Sequence, residues 1–251
     1  MKKYALVLLG LFALFLGACG QKAEQKNEPS AAVSSNQKKT VNKSNNHSTE
    51  TQQSSVSRSS TSSTEEGEVT HNGTYFSVKN KYGDEIIIVN KKHPLSADYA
   101  PGENPSAVAA FHQLKADMQA LGYPISDNYS GFRSYAYQAT LYQSYVDRDG
   151  QAAADRYSAR PGYSEHQSGL GFDLIDTSGN LLEDSASVDW LKAHSHEYGF
   201  VMRYLPGKEA ITGYMPETWH IRYIGQEATD IYESGLTLEE YYGVEGGDYA
   251  D

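Results

Sequence analysis

The sequence predicts a single α+β domain with a central antiparallel sheet flanked by helices, carried behind a disordered tether. Three observations predict it. Val108, Phe111, Leu114, Met118 and Leu121 recur at spacings of three and four, the period of one helix face. Short runs rich in β-branched and aromatic residues lie between turn residues without the regular strand-helix alternation of a parallel sheet. From Gly20 to Thr70 there is no Phe, Tyr, Trp, Leu, Ile or Met, while Ser, Thr, Asn, Gln and Lys dominate, so this stretch cannot bury enough apolar surface to offset its ordering entropy.

In chain order, Met1-Lys2-Lys3 and the apolar run Ala5 to Leu16 are too short for a permanent span and read as an export signal. The run ends Leu16-Gly17-Ala18-Cys19, which resembles the lipobox of bacterial lipoproteins. That resemblance implies a signal peptide over residues 1–18, a lipid on Cys19, and attachment to the extracellular face of the cell membrane. Residues 19–70 are then a tether, with a coil reach of roughly 40 Å toward the cell wall. Residues 71–251 form the folded domain. Within it Tyr75–Val78 and Glu85–Asn90 around Tyr82-Gly83-Asp84 read as a hairpin. Pro105 to Leu121 reads as a helix stopped by Gly122, Ser134 to Val146 as a second, Ser187 to Tyr198 as a third stopped by Gly199, and Gln226 to Ser234 as a short fourth. Gly171–Ile175, Phe200–Tyr204 and Trp219–Ile224 read as strands. No internal repeat is evident.

Composition narrows the function. Of 251 residues, 21 are Lys or Arg and 32 Asp or Glu, a formal charge of -11. The folded part alone holds 13 basic and 26 acidic residues, so no basic excess exists to neutralise phosphates, and nucleic acid is excluded as a partner. One Cys supports neither an intramolecular disulfide nor a thiolate cluster. Chemistry must come from His, carboxylate, Ser, Tyr or Arg.

Of the eight His, His47 falls in the tether, and His71 and His93 are expected in exposed loops. His112 reads as a surface or packed residue of the first helix. His194 and His196 would share a face on a strand, but on a helix they diverge by roughly 200°. Two remain. Ser164-Glu165-His166-Gln167-Ser168-Gly169-Leu170-Gly171-Phe172-Asp173 sets a His seven residues before an Asp, and its Gly-Leu-Gly permits a close backbone approach to a bound group. Glu217-Thr218-Trp219-His220 sets a Glu three before a His. Two imidazoles and a carboxylate suit Zn²⁺ with an open fourth position, and a non-ligating Glu can move the proton of an attacking water. On spacing alone, metal binding and ordinary structural roles both stay open.

The string Ser164-x-His166-x-x-Gly169-x-Gly171-x-Asp173 resembles the Ser-x-His-x-x-Gly-x-Ala-x-Asp signature of zinc D-alanyl-D-alanine peptidases of the VanX and VanY type. Glu217-x-Trp219-His220 resembles their second signature. Gly131-x-Arg133-Ser134-x-x-x-Gln138 is similar to their Arg-bearing segment. The resemblance implies a fold shared with lysostaphin-like endopeptidases and hedgehog domains, one Zn²⁺ held by His166, Asp173 and His220, Glu217 as base and Arg133 as electrophile. It also places Ser134, Gln138, Ser164 and Arg222 along the substrate pocket; Trp219 is either pocket wall or core. Gly171 stands where Ala is usual, and Thr218 where the VanY branch often has Pro. Peptidoglycan stem peptides are the implied substrate and a monomer is expected. Likeness to streptococcal lipid-tethered L,D-carboxypeptidases favours removal of D-Ala from tetrapeptide stems; removal from pentapeptide stems by a D,D-carboxypeptidase is the rival, and a non-catalytic wall-binding module a more distant one. Ser35-x-x-Lys38 matches a serine-hydrolase pattern but lies in the tether, where chance explains it.

Overall fold

The computed structural model describes residues 68–250. The expected signal peptide, Cys19, Ser35 and Lys38, and all but the last residues of the expected tether lie outside them. The described part opens with a small antiparallel sheet of β1 (Thr70–His71), β2 (Phe76–Lys79) and β3 (Glu85–Ile88), in that order. The expected hairpin is β2–β3. Its turn is closed by the Asn80 carboxamide, whose Oδ1 accepts from Tyr82 N at 3.0 Å and Asp84 N at 2.8 Å, the Asn-turn geometry that frees the backbone to reverse.

Helix α1 (Pro105–Ala120) starts where Asn104 Oδ1 accepts from Ser106 N and Ala107 N, with Pro in the first turn where a missing N–H costs nothing. Its buried face is Ala107, Phe111, Leu114 and Met118. Next come β4 (Ile125–Ser130), α2 (Tyr135–Asp149) and α3 (Gln151–Tyr157), then a tight 3-10 turn over Glu165–Ser168 that leads into β5 (Gly171–Asp176). Helix α4 (Ser185–His194) narrows to a 3-10 turn over Ser195–Tyr198, so the expected third helix ends one turn early before Gly199. Strand β6 (Phe200–Met202), α5 (Glu209–Thr212), β7 (His220–Tyr223), α6 (Ala228–Ser234) and α7 (Leu238–Tyr242) complete the order.

The second sheet runs β4-β5-β7-β6, antiparallel throughout. This is the expected central antiparallel sheet; the hairpin lies apart from it, pairing with β1 and not with the strands that carry the site. Strand alternation divides the four-stranded sheet cleanly. Phe172, Leu174 and Ile221 point to one face and are fully buried with Phe111, Leu114, Met118, Leu191 and Phe200. Phe111 stacks on Phe172 at 4.7 Å and Phe172 meets Phe200 edge-on at 5.9 Å, so α1 closes this core. Gly171, Asp173, His220 and Arg222 point the other way, by the period of two.

Histidines set aside above are placed as follows. His194 Nδ1 lies 3.2 Å from Glu197 Oε1, whereas His196 stacks on Tyr232 at 4.0 Å and bonds Thr229; the two share no site. His112 is exposed on α1 and edge-on to Tyr129. His93 corrects the expectation of exposure: it is buried, its Nδ1 2.9 Å from Asn90 Oδ1 and its ring against Phe76.

Candidate metal centre

Antiparallel pairing builds half of the site. Asp173 on β5 and His220 on β7 are register partners, and directly opposed residues present their side chains on one face. His220 Nδ1 lies 2.9 Å from Asp173 Oδ1. His166 comes from the 3-10 turn, and two bonds stitch that turn to the loop after β4: His166 Nδ1 donates to Gly131 O at 2.7 Å, and Arg133 N donates to His166 O at 3.3 Å. A carbonyl only accepts, so Nδ1 carries the hydrogen and Nε2 keeps its lone pair. That Nε2 sits 3.1 Å from Asp173 Oδ2 and has no hydrogen-bond partner although it is buried.

Two acceptors thus face each other with no proton between them, an arrangement a cation satisfies. One ligand atom from each of His166, Asp173 and His220 lies within 4.8 Å of the others, and all three residues are buried. The residues present fit a metal ion.

The electrostatics set the two rings apart, His166 neutral and His220 protonated near pH 7 in the absence of a metal. Burial and the nearby Arg133 cation push His166 down to about 4, so its ring is neutral at pH 7 and free to ligate. Burial pushes the Asp173 carboxyl up, but His166 and His220 outweigh it and hold it well below the usual range. For His220 burial works against the proton, while bonds to Asp173 and Glu165 raise it to about 9.

Glu217 lies just before β7, where its N–H bonds Tyr204 O at 3.1 Å. The strand begins at His220, so alternation does not send the two side chains to opposite faces, and Glu217 Oε2 comes to 3.9 Å from His220 Nδ1. Burial raises its carboxyl to about 8, with Asp173 adding to the shift and His220 and Arg133 opposing it. Arg133 reaches Asp173 Oδ2 at 3.5 Å and Gln138 Oε1 at 3.3 Å, and its Nε is buried without a partner. Around these groups is a cleft of about 580 Å³ lined also by Gln138, Ser164, Tyr204, Tyr214 and Trp219. Trp219 serves both as wall and as a residue packed on the core.

Two expected lining residues stand elsewhere. Ser134 is the N-cap of α2, its Oγ accepting from Tyr137 N at 3.2 Å. Arg222 lies beneath the site, 1% exposed, bonded to Glu165 and to the Ile87 carbonyl. The close approaches at the two glycines are internal and not to a ligand. A Cβ on Gly169 would lie 2.0 Å from Gly102 O, and one on Gly171 would lie 3.2 Å from both Glu165 Cβ and His220 Cε1. Sequence reasoning missed Glu165, which touches His220 directly, and the buried Arg203 and Tyr204. Position next to His166 was the one signal for Glu165.

A buried His-Asp-His triad lining a cleft, with a further carboxylate beside it, is the donor set of a mononuclear metallohydrolase. The family model for VanY, D-alanyl-D-alanine carboxypeptidase, matches residues 102–226. A D-alanyl-D-alanine carboxypeptidase of Enterococcus faecalis is 34% identical over 189 residues, 65% of this chain and 69% of that protein. Among solved structures, the LdcB LD-carboxypeptidase, whose structure was described as revealing the basis of peptidoglycan recognition, superposes with a TM-score of 0.72 at 60% identity, over 74% of this chain and 99% of that one. The L,D-carboxypeptidase DacB from Streptococcus pneumoniae gives 0.72 at 61%, over 73% and 100%. The D,D-pentapeptidase VanY of a VanB-type resistance cassette, solved with Zn(II), gives 0.55 at 34%, over 62% and 97%. The chain belongs to the VanY family of D-alanyl-D-alanine carboxypeptidases.

Proposed function

We propose that the chain is a zinc-dependent L,D-carboxypeptidase that removes the terminal D-Ala from peptidoglycan tetrapeptide stems, held at the extracellular face of the membrane by a lipid on Cys19. The convergence of His166, Asp173 and His220 within 4.8 Å carries the catalytic reading. The 60% identity to a protein described as an LD-carboxypeptidase supports the choice of bond, and the Zn(II) in a family relative supports the metal. The lipobox at Leu16–Cys19 supports the anchor.

Zinc bound by the three ligands would supply Lewis-acid polarisation of the scissile carbonyl and acidify the attacking water. Glu217 takes a proton from that water as its oxygen forms a bond to the carbonyl carbon. It then gives the proton to the amine nitrogen of D-Ala as the C–N bond breaks. Burial favours the protonated carboxyl that the second step requires, and a divalent cation nearby favours the ionised form that the first requires. Arg133 offers its fork to the oxyanion or to the free carboxylate of the leaving residue. Gln138, whose Oε1 accepts from Arg133 and whose Nε2 donates to Ala159 O at 2.7 Å, fixes that guanidinium.

The family description favours a second reading, cleavage between two D-Ala residues of a pentapeptide. Defined tetra- and pentapeptide stems incubated with the zinc-loaded protein and weighed by mass spectrometry separate them. Loss of one alanine from the tetrapeptide is expected. Loss from the pentapeptide alone supports the D,D reading, and loss from neither overturns both.

A further inference from the structure

We propose that Glu165 is a positioning residue for the metal centre: clamped by Arg203 and Arg222, its carboxylate fixes the His220 ring so that Nδ1 is turned toward Asp173 and the cleft. This rests on the metallopeptidase reading and deepens it.

Glu165 is 2% exposed, and its Oε2 lies 3.1 Å from His220 Nε2. An ionised carboxylate only accepts, so Nε2 keeps a hydrogen toward Glu165, and Nδ1, which faces Asp173, is the nitrogen left to give up its proton and ligate. The other oxygen, Oε1, accepts from Arg203 Nε at 2.6 Å and from Arg222 Nη1 at 3.0 Å. Rotating the carboxylate away from His220 would break two charge-assisted bonds in a buried place. Gly171 makes the contact sterically possible, since it stands opposite Arg222 in the register and its missing Cβ leaves room for Glu165 and His220.

The clamp is anchored in turn. Arg203 grips Glu239 of α7 through both terminal nitrogens, at 2.9 and 2.6 Å, and Glu239 also accepts from Asn90. Arg222 Nη2 donates to Ile87 O of β3 at 2.6 Å. Two guanidinium groups balance two carboxylates, so the buried cluster is neutral overall. Its outer anchors, Ile87, Asn90 and Glu239, lie outside residues 102–226 that the family model matches. The small sheet and the C-terminal helix therefore help to hold a metal ligand, whereas the His166 ring bonds a backbone carbonyl, Gly131 O.

A purely structural ion cluster would move stability and leave the metal untouched. The test measures zinc affinity of the full chain by chelator competition, and the visible spectrum of the Co²⁺-loaded form, for Glu165→Gln and Glu165→Asp. Gln removes the charge that the guanidinium groups hold. Asp keeps the charge but is one methylene too short to meet both His220 and the clamp. We expect zinc affinity about 10–100-fold weaker in each, with an altered cobalt spectrum. Folded variants with wild-type affinity and spectrum would overturn the proposal. Should both variants fail to fold, Glu239→Gln leaves Glu165 in place and loosens Arg203 and Asn90; a several-fold weaker zinc affinity supports the clamp, and an unchanged one overturns it. Wild-type protein that takes up no zinc would remove the metallopeptidase reading itself, which separates the two failures.

Discussion

Replacing Gly169 by Ala isolates how much of the centre depends on a close backbone approach. Gly169 has φ +74, which costs an L side chain about 1–2 kcal/mol. Its new Cβ would also lie 2.0 Å from Gly102 O, so one of the two backbones must shift by roughly an ångström to regain ordinary contact. That shift strains the bond from Asn104 N to Gly169 O, 3.0 Å in the structure, and leaving a buried backbone group unpaired costs a further 1–3 kcal/mol or so. The expected loss is about 2–5 kcal/mol. Gly179→Ala is the control, because φ there is +86 but nothing lies within 4 Å of its added Cβ; only the conformational cost of about 1–2 kcal/mol applies. Urea unfolding of both variants gives the difference directly. Gly169 N also bonds His166 O at 3.2 Å, so the same shift disturbs the turn that presents a ligand, and zinc affinity should fall in the first variant and hold in the second. Equal destabilisation by the two substitutions, with equal zinc affinity, would refute the argument that packing against Gly102 sets the turn.

Glu217→Gln should keep zinc at the wild-type stoichiometry by elemental analysis while the rate of D-Ala release falls by about 10²–10⁴; loss of the metal would make Glu217 a ligand instead of a base. His93 carries a pH dependence of its own. Burial lowers its pKa below 6.5, with Glu245 and Glu239 opposing the shift, so below pH 6.5 the unfolded chain binds a proton that the folded one does not. This contribution is fully present above the unfolded value and stability is lost as pH falls through it. His93→Gln should flatten the fall in urea midpoint between pH 7 and 5.5 by at most one proton's worth of slope, and an unchanged slope would contradict the assignment.

What could be read from the sequence follows what each part of the site depends on. Local pattern gave α1, since Phe111, Leu114 and Met118 announce a buried face by spacing alone, and it gave the hairpin through its turn. It did not give β4: Ser126, Asp127 and Asn128 offer no alternation, and Ile125 is the one fully buried residue of that strand. Nor could it say which strands pair, because the ladders join distant segments, as β5 with β7. Ser134, which the resemblance places along the pocket, is the N-cap of α2, the role that a Ser one position before a helix takes first of all.

The same distinction explains why the candidate ligands were legible and their supports were not. His166, Asp173, Glu217 and His220 are residue types suited to a metal site, and the resemblance of their two strings to a known signature singles them out where spacing alone leaves their roles open. Glu165, Arg203 and Glu239 are read from composition as ordinary surface charges, since such residues are seldom buried unless paired, and Arg222 is read as a pocket residue. Their pairing spans separations of 36 to 57 residues and exists only once β5, β6, β7 and α7 have come together. Arg222 shows how far local reasoning reaches: two residues beyond His220 on one strand, it had to share that ligand's face. Whether that face opens onto the cleft or onto buried carboxylates was decided by Glu165, which occupies the space that Gly171 leaves.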